Sequence, residues 1–312
     1  MIAELVRSIL EGDPRAVAQA ISTVENEPAE AQTLLSALHA KVGRAARIGI
    51  TGPPGVGKST LINEMAVREQ ARGRRVGVIA VDPTSPFTGG ALLGDRVRMH
   101  KATDEGAAFI RSMASRGMAG GIARATADAA DVLDAAGKDV VIIETIGVGQ
   151  SEIEVSRLTD CTLVVLSPES GDSIQAMKSG IMEVADLIVI NKKDRPGADR
   201  LMHDLRSAFE LGLRKRNVEM IQTSAYNGTG VPEVLEAVDR YLEHARTSGS
   251  FRERRRRILG HRLRSACEFM MRQSLWDRAG APRMLDHATE AVFNGSRPLY
   301  EAARDLLKEL SS

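Results

Sequence analysis

The sequence has few aromatic residues, two cysteines and almost no net charge. Phe, Trp and Tyr make up 3% of its 312 residues, which argues against a surface that stacks the bases of single-stranded nucleic acid. The formal net charge of +1 creates no overall field that would favour nucleic acid or an anionic membrane. Cys161 and Cys267 are too few for a disulfide framework, and no Cys/His cluster indicates zinc. We therefore expect reduced thiols and a cytoplasmic location.

Long apolar runs are also missing. None approaches the ~18 residues that are needed to span a bilayer. The first residues place Glu4 and Arg7 at helical spacing among apolar residues, unlike a secretory leader. We expect no membrane partner and no nucleic-acid partner. Hydrophobic residues make up 43% of the chain, which is ample for a globular core.

Short apolar runs alternate with helical stretches between residues 44 and 246. The runs are apolar throughout, as in strands that are buried on both faces of a parallel sheet. Strand–helix alternation predicts βαβ units, and hence a doubly wound α/β domain that binds its ligand at the carboxyl ends of the strands. The predicted strands are Arg47–Thr51, Val76–Asp82, Ala107–Ile110, Val140–Glu144, Leu163–Ser167, Leu187–Asn191 and Met220–Ser224.

Helical segments are predicted on both sides of this domain. Residues 1–43 form an N-terminal helical extension, in which Asp13 and Pro14 have the pattern of a helix start. Residues 247–312 form a C-terminal helical segment, which begins with a flexible linker at Thr247–Ser250. Its basic stretch, Arg252–Arg264, is either a nucleic-acid arm or the solvated face of a packed helix. We favour the packed helix because apolar residues interleave the arginines.

A phosphate-binding loop with the pattern GxxxxGK[ST] lies between the first predicted strand and a helix that we expect to begin near Thr60. Glycines allow main-chain N–H groups to point at phosphate oxygens, and the helix N-terminus adds positive potential. Lys58 is expected to reach the β- and γ-phosphates, and Ser59 to bind Mg²⁺ through its hydroxyl. The nucleotide-binding residues of this loop are Gly52, Pro53, Pro54, Gly55, Val56, Gly57, Lys58, Ser59 and Thr60.

Guanine selectivity is predicted by Asn191-Lys192-Lys193-Asp194, which follows a predicted strand and matches the NKxD element. The Asp194 carboxylate would accept hydrogen bonds from guanine N1–H and the exocyclic amine, which adenine does not offer in that arrangement. We expect Asn191 to tie this loop to the phosphate-binding loop, and the stem of Lys192 to cover the base. Main-chain N–H groups of Ser224 and Ala225, which end the next strand, are expected to meet guanine O6.

Acidic residues follow two other strands. Glu144 occupies the place of the Asp in the usual DxxG element, where it would hold the Mg²⁺ shell, and the Gly147 N–H would sense the γ-phosphate. Asp82, at the end of a strand, is interpreted as a metal-site residue rather than an N-cap. Asp95 is open to either interpretation. Val148 follows Gly147 where many GTPases have a catalytic Gln, so we expect slow intrinsic hydrolysis.

The motifs GPPGVGKST, VDPTSP, GDRVRM, ETIGVGQSE and NKKD, in this order, resemble those of the MeaB/ArgK family of GTPases, the bacterial counterparts of the human methylmalonic aciduria type A protein. The resemblance covers nearly the whole chain. It implies a homodimeric, GTP- and Mg²⁺-dependent chaperone that gates cofactor loading of an adenosylcobalamin-dependent acyl-CoA mutase and protects or reactivates the mutase. The C-terminal segment would help to form the dimer, and no cobalamin site of its own is evident.

The same resemblance assigns roles to individual residues. It places Lys58, Ser59, Asp82, Asp95 and Glu144 in the phosphate and magnesium site, and Asn191 and Asp194 in the base site. It also implies that Ser167–Lys178, with Gln175 and Lys178, is a third switch that signals to the mutase. Lys178 would help to complete the active site when the mutase docks. Periodicity alone favours a simpler interpretation, a surface loop and a solvated helix.

Three other classes of protein remain as alternatives. A transport-associated kinase or ATPase is disfavoured because Asp194 selects guanine. Hydrogenase and urease maturation GTPases usually carry a Cys/His metal site, whereas the six histidines of this chain are scattered. A signal-recognition GTPase would need a Met-rich groove, and Met270-Met271 is better interpreted as a core or dimer contact. The sequence does not distinguish methylmalonyl-CoA, isobutyryl-CoA, 2-hydroxyisobutyryl-CoA and ethylmalonyl-CoA mutases as partners.

Overall fold

A parallel sheet of seven strands is the centre of the structure. The computed structural model describes residues 2–82, 108–114, 121–145, 151–169, 181–210, 218–278 and 280–311. The strands are β1 (Ala46–Thr51), β2 (Val76–Asp82), β3 (Ala108–Ala114), β4 (Val140–Thr145), β5 (Cys161–Leu166), β6 (Leu187–Ile190) and β7 (Glu219–Gln222). Their spatial order is β3-β2-β4-β1-β5-β6-β7, and all neighbours pair in parallel. The predicted α/β fold is confirmed.

Helices precede, flank and follow this sheet. Those that the structure describes are α1 (Ile2–Leu10), α2 (Pro14–Asn26), α3 (Pro28–Leu38), α4 (Lys58–Ala71), α5 (Gly121–Ala135), α6 (Ser151–Ser156), α7 (Ile181–Val184), α8 (Ala198–Ala208), α9 (Val231–Thr247), α10 (Ser250–Trp276), α11 (Ala281–Phe293) and α12 (Leu299–Ser311). A 3-10 turn at His39–Lys41 follows α3. The chain divides into two compact units, residues 1–258 and 259–312. None of the described helices is long and apolar enough to cross a membrane.

The central strands are buried on both faces, which explains why their sequences are apolar throughout. Every residue of β1, β4, β5 and β6 is buried. One face of the sheet packs against α4 and α9, through residues such as Leu61 and Leu235. The other face packs against α5 and the N-terminal helices, through residues such as Leu133 and Ile21. The N-terminal helices therefore form part of the core of the first unit.

Local signals place two of the helix starts. The Asp13 carboxylate accepts hydrogen bonds from the main-chain N–H groups of Arg15 and Ala16, at 3.3 and 3.0 Å, so the predicted N-cap of α2 is confirmed. Helix α4 begins at Lys58, two residues before the position that the sequence suggested. Gly57, with φ of 92°, is its N-cap, and this left-handed conformation favours glycine.

Several sequence-based boundaries were wrong. The fifth strand begins at Cys161 instead of Leu163, and the seventh ends at Gln222 instead of Ser224. The third strand continues to Ala114 instead of ending at Ile110, because β3 pairs with β2 along the whole length of that strand, from Val76 to Asp82. The predicted flexible linker Thr247–Ser250 is a break of two residues between α9 and α10. It is short because Thr247 still belongs to α9 and Ser250 already begins α10.

The start of the basic stretch is packed in the first unit. Arg254 forms an ion pair with Asp186 at 2.6 Å, and Arg255 forms one with Asp160 at 2.7 Å. The aspartates lie directly before β6 and β5, and their side chains are nearly inaccessible. Arg255 also donates a hydrogen bond to the main-chain carbonyl of Ala45, at 2.7 Å. These contacts fit the packed-helix interpretation of this part of the stretch.

Candidate nucleotide-binding site

The candidate site lies at the carboxyl end of β1, where the strand order reverses. β1 pairs with β4 on one side and with β5 on the other, whereas β2, the next strand in the chain, lies beyond β4. Crevices at such switch points are where doubly wound sheets bind their ligands. The segment Gly52–Ser59 leaves β1 at this point and leads into α4.

Two glycines let this loop approach its neighbours closely. Gly52 has φ of 139°, and a Cβ atom there would overlap the main-chain carbonyl oxygen of Val165 in β5. A Cβ atom on Gly57 would overlap the side-chain amide of Asn191. Glycine is therefore required at both positions by the positive φ and by the lack of space. Pro54, Gly55 and Thr60 are exposed around this loop.

Lys58 places a buried cation inside the loop. Lys58 is buried, and its Nζ donates hydrogen bonds to the carbonyl oxygens of Gly52 and Pro53, at 2.8 and 3.0 Å. Lys58 is also the first residue of α4, so its charge adds to the positive potential of a helix N-terminus. Together with the main-chain N–H groups of a glycine-rich loop, this arrangement is suited to binding phosphate.

Two side-chain oxygens that could bind a metal ion meet beside the loop. The Ser59 hydroxyl donates a hydrogen bond to Glu144 Oε1 at 3.0 Å, and Glu144 is 2% exposed in β4. Hydroxyl and carboxylate oxygens are the ligands that Mg²⁺ prefers, so this pair fits a magnesium site. Among the described residues, no group of three or more His, Cys, Asp or Glu could hold a metal. Mg²⁺ in proteins usually keeps several waters and binds one or two carboxylates together with phosphate oxygens, a pattern that Ser59 and Glu144 fit.

Several predicted site residues cannot be compared with these oxygens. Asp82 is the last residue of β2, whose pairing with β4 aligns Ala80 with Glu144, so its main chain lies at the same edge of the sheet. The side chain of Asp82 lies outside what the structure describes, and so do Asp95, Gly147, Gln175 and Lys178. Their predicted roles stay predictions.

Asn191 joins three loops at the carboxyl ends of the strands. Its side-chain Nδ2 donates to the main-chain carbonyl of Val56 at 2.8 Å, which is the predicted tie to the phosphate-binding loop. Its Oδ1 accepts hydrogen bonds from the Ala225 N–H at 2.9 Å and from the Thr223 hydroxyl at 3.0 Å. Because Asn191 is 3% exposed, these hydrogen bonds are shielded from water.

Asp194 is oriented by Ser224. The Ser224 hydroxyl donates to Asp194 Oδ1 at 2.7 Å, and this hydrogen bond lowers the pKa of the Asp194 carboxyl. The side chain of Asp194 is 53% exposed, so it is ionised and accessible to a ligand. The main-chain N–H groups of Ser224 and Ala225 already donate to Thr229 O and Asn191 Oδ1. The predicted contacts of Ser224 and Ala225 with guanine O6 would therefore require these N–H groups to be shared with Thr229 and Asn191.

Lys192 lies between these residues in an unusual backbone conformation. It is the one non-glycine residue in the described part of the chain with positive φ, at 60°. Its Nζ donates to Glu169 Oε2 at 2.9 Å, and this hydrogen bond lowers the pKa of Glu169. Sequence reasoning missed this role of Glu169. It belongs to the segment Ser167–Lys178, which was singled out only for Gln175 and Lys178.

Comparison with known proteins gives one family and a consistent set of relatives. The family described as methylmalonyl-CoA mutase-associated GTPase MeaB matches residues 17–279. The GTPase ArgK of Escherichia coli is 38% identical over 277 residues, which cover 86% of this chain and 84% of ArgK. The mitochondrial methylmalonic aciduria type A homolog of Mus musculus is 38% identical over 215 residues, which cover 67% of this chain and 52% of that protein.

One solved structure extends the comparison to the fold. The crystal structure of a LAO/AO transport system kinase aligns with a TM-score of 0.73 at 30% sequence identity. The alignment covers 100% of this chain and 98% of that one. The described sheet and the helices before and after it thus belong to a known architecture.

Proposed function

This chain belongs to the MeaB family of P-loop GTPases, and on that premise we propose that it is a chaperone of an adenosylcobalamin-dependent acyl-CoA mutase. It is a GTP hydrolase, as its relatives are. The proposed task is to gate cofactor loading of methylmalonyl-CoA mutase or a close relative and to protect or reactivate that enzyme. The observation that carries this proposal is the family match over residues 17–279, which extends well beyond the nucleotide site.

Guanine recognition is assigned to the loop after β6 and to its neighbour after β7. Ser224 holds one oxygen of the ionised Asp194 carboxylate, and the exposed side chain is available to the N1–H and amine of guanine. Asn191 keeps this loop in register with the phosphate-binding loop. The base and the phosphates of one nucleotide would then be held by loops that are hydrogen-bonded to each other. Lys192 would cover the base with the apolar stem of its side chain.

Phosphate and magnesium binding are assigned to the loop after β1 and to Glu144. Lys58 would exchange its two carbonyl acceptors for β- and γ-phosphate oxygens, a charged pairing that is stronger than a neutral one. Ser59 and Glu144 would hold Mg²⁺ directly or through water, with Asp82 and Asp95 in supporting roles. The magnesium ion would neutralise charge on the phosphates during hydrolysis. Slow intrinsic turnover follows from Val148, which replaces a water-orienting Gln.

Stimulation by the mutase is assigned to Lys178 on the strength of the family resemblance. A cation that is brought to the transferring phosphoryl group stabilises its developing charge, as an arginine finger does. Lys178→Ala should then leave intrinsic hydrolysis within a few-fold of wild type and remove most of the mutase-stimulated rate.

Homodimer formation is assigned to the C-terminal unit. Several large apolar side chains are exposed there. They include Leu263, Met270 and Met271 on α10, Phe293 at the end of α11 and Tyr300 in α12. A second copy would cover them. Light scattering during size-exclusion chromatography should give twice the chain mass, and a monomer at micromolar concentration would contradict this assignment.

The mutase assignment is tested by single-turnover GTP hydrolysis with each purified candidate mutase. We expect one of the four acyl-CoA mutases to accelerate hydrolysis and to form a complex with the wild-type protein. Lys58→Ala, which removes the phosphate-binding cation, serves as the catalytically impaired control. If none of the four mutases accelerated hydrolysis or formed a complex, the chaperone assignment would be refuted. The GTPase assignment would remain intact.

A further inference from the structure

We propose that Glu169 is a positioning residue for Lys192, and that it thereby lengthens the time for which a guanine nucleotide stays bound. This inference rests on the proposed base site, because Lys192 is taken to cover the guanine ring. Glu169 follows β5, whereas Lys192 follows β6. The pair therefore joins two separate loops at the carboxyl edge of the sheet.

The contact fixes both ends of the Lys192 side chain. Its main chain is held by Asn191, which is buried and hydrogen-bonded to Val56, Thr223 and Ala225. At the other end, Nζ lies 2.9 Å from Glu169 Oε2. The four-carbon stem between these two points is the part that would lie on the base. The Lys192 side chain is 31% exposed, so without Glu169 it would have room to move.

Holding the stem before the nucleotide arrives reduces the entropic cost of binding. A free lysine side chain loses considerable rotamer freedom when it is ordered. If Glu169 has already ordered the Lys192 side chain, nucleotide binding does not incur this loss of entropy again. Restraining one such side chain changes affinity by about two- to tenfold. In a series of variants of one site, most of such a change is in the dissociation rate.

Arg195 gives a second reason why loss of Glu169 should speed nucleotide dissociation. Its Nε lies 3.5 Å from Glu169 Oε1 and 3.7 Å from Asp194 Oδ2, so the two carboxylates share one cation. Without the charge of Glu169, the attraction of Arg195 would be directed at Asp194 alone. Arg195 would then compete with guanine for the carboxylate that recognises it. Glu169 thus keeps Lys192 extended and the Asp194 carboxylate accessible.

A purely structural role for Glu169 predicts different results. Its side chain is 45% exposed, and exposed ion pairs contribute little to the stability of a fold. The pair of Glu219 with Arg240 is a matched control, because its atoms lie 2.7 Å apart and Glu219 is 47% exposed. Glu219 begins β7, at the opposite end of the strands from the proposed base site. Glu219→Gln should therefore leave nucleotide dissociation unchanged.

The experiment measures the dissociation rate of a fluorescent GDP analogue that is displaced by excess GDP. We expect Glu169→Gln to raise this dissociation rate about two- to tenfold. Glu169→Asp should raise it less, since aspartate keeps the charge. The same Glu169→Gln change in a Lys192→Met background should have a smaller effect, because only the part that acts through Arg195 on Asp194 remains. Circular dichroism melts should differ little between the variants.

Each outcome bears on one assignment. The positioning role would be overturned if Glu169→Gln released GDP at the wild-type rate. It would also be overturned if Glu169→Gln raised the rate equally in the wild-type and Lys192→Met backgrounds. If Lys192→Met and Asp194→Asn both left GDP binding unchanged, the proposed base site itself would be wrong. A rise in rate that also appears in Glu219→Gln would mark a general effect of removing surface charge and would refute the inference.

Discussion

The side chain of Asn191 donates a hydrogen bond to the main-chain carbonyl of Val56, across 2.8 Å and 135 residues of sequence. This bond connects the loop that is proposed to read the base with the loop that is proposed to bind the phosphates. Because Asn191 also accepts from Ala225 and Thr223, one buried amide sets the relative positions of three loops. The geometry of the site therefore depends on a residue whose side-chain atoms are all engaged within the protein.

Replacing Asn191 with Ala should weaken both the fold and the nucleotide site. The main-chain groups of Val56 and Ala225 would lose their partners while buried, which costs about 1–3 kcal/mol in the free energy of unfolding. We expect GDP affinity to fall roughly tenfold or more as the loops lose register. Urea denaturation and calorimetric titration with GDP measure the two effects. Asn26→Ala, at an exposed helix end, is the control, and GDP affinity equal to wild type in Asn191→Ala would contradict this role.

Replacing Asp194 with Asn should change which base is preferred. A carboxylate only accepts hydrogen bonds, whereas the amide also donates and so matches the carbonyl oxygen that xanthine has in place of the guanine amine. We expect weaker binding of GTP and tighter binding of xanthosine triphosphate. Competition titrations with both nucleotides measure the ratio of affinities. A variant that still preferred GTP would show that Asp194 does not read the base.

The sequence predicts the strands and the phosphate-binding loop well, because both follow from local rules. Parallel strands that are buried on both faces must be apolar along their whole length, and the loop needs glycine at Gly52 and Gly57 because of positive φ and close neighbours. The end of β3 was missed since it is set by the length of its partner β2. Strand pairing is a property of the sheet, which no local pattern encodes.

Side-chain pairs between distant loops were the other part that sequence reasoning could not supply. Glu169 and Lys192 are 23 positions apart in different connections, and nothing in either motif requires the other. The pairing of Arg254 with Asp186 was likewise hidden within a basic stretch that has an exposed face. Charged residues in loops are common, so their partners become evident only when the fold brings the loops together.

Removing the carboxylate of Glu144 should slow hydrolysis more than it weakens binding. Most phosphate contacts are expected from main-chain N–H groups and Lys58, whereas Glu144 acts on magnesium and on the charge of the reacting state. We expect Glu144→Ala to bind GDP within about tenfold of wild type and to lose at least a hundredfold in single-turnover rate, the scale of one lost electrostatic contact. Equal hydrolysis rates at saturating GTP and Mg²⁺ would contradict the assignment.

Arg255 should stabilise the first unit far more than its neighbour Arg256. Arg255 pairs with Asp160, whose side chain is 2% exposed, whereas Arg256 is on the exposed face of α10. Arg255→Ala would leave a buried carboxylate without its cation, at a cost of about 3 kcal/mol in the free energy of unfolding. Arg256→Ala should change it by less than about 0.5 kcal/mol. Urea denaturation of the two variants makes the comparison, and equal stability would show that the pair contributes nothing.

Tyr241 should make the stability of the fold sensitive to alkaline pH. Its hydroxyl donates to Asp186 Oδ1 at 2.7 Å, and burial together with the charge of Asp186 raises its pKa to about 12. The unfolded chain would ionise this group at about pH 10. Because the folded pKa is the higher one, the contribution is fully present below pH 10 and is lost as the pH rises toward 12.

The test compares urea denaturation of wild type and Tyr241→Phe between pH 8 and about 11.5, where the tyrosine contribution is expected to decline. The variant lacks the hydrogen bond to Asp186 and should be less stable at pH 8, and the gap between the two proteins should narrow above about pH 10. Tyr226→Phe is the control, since Tyr226 is 91% exposed and should give the same pH dependence as wild type. A gap that stayed constant up to the highest pH would show that ionisation of Tyr241 is not linked to folding.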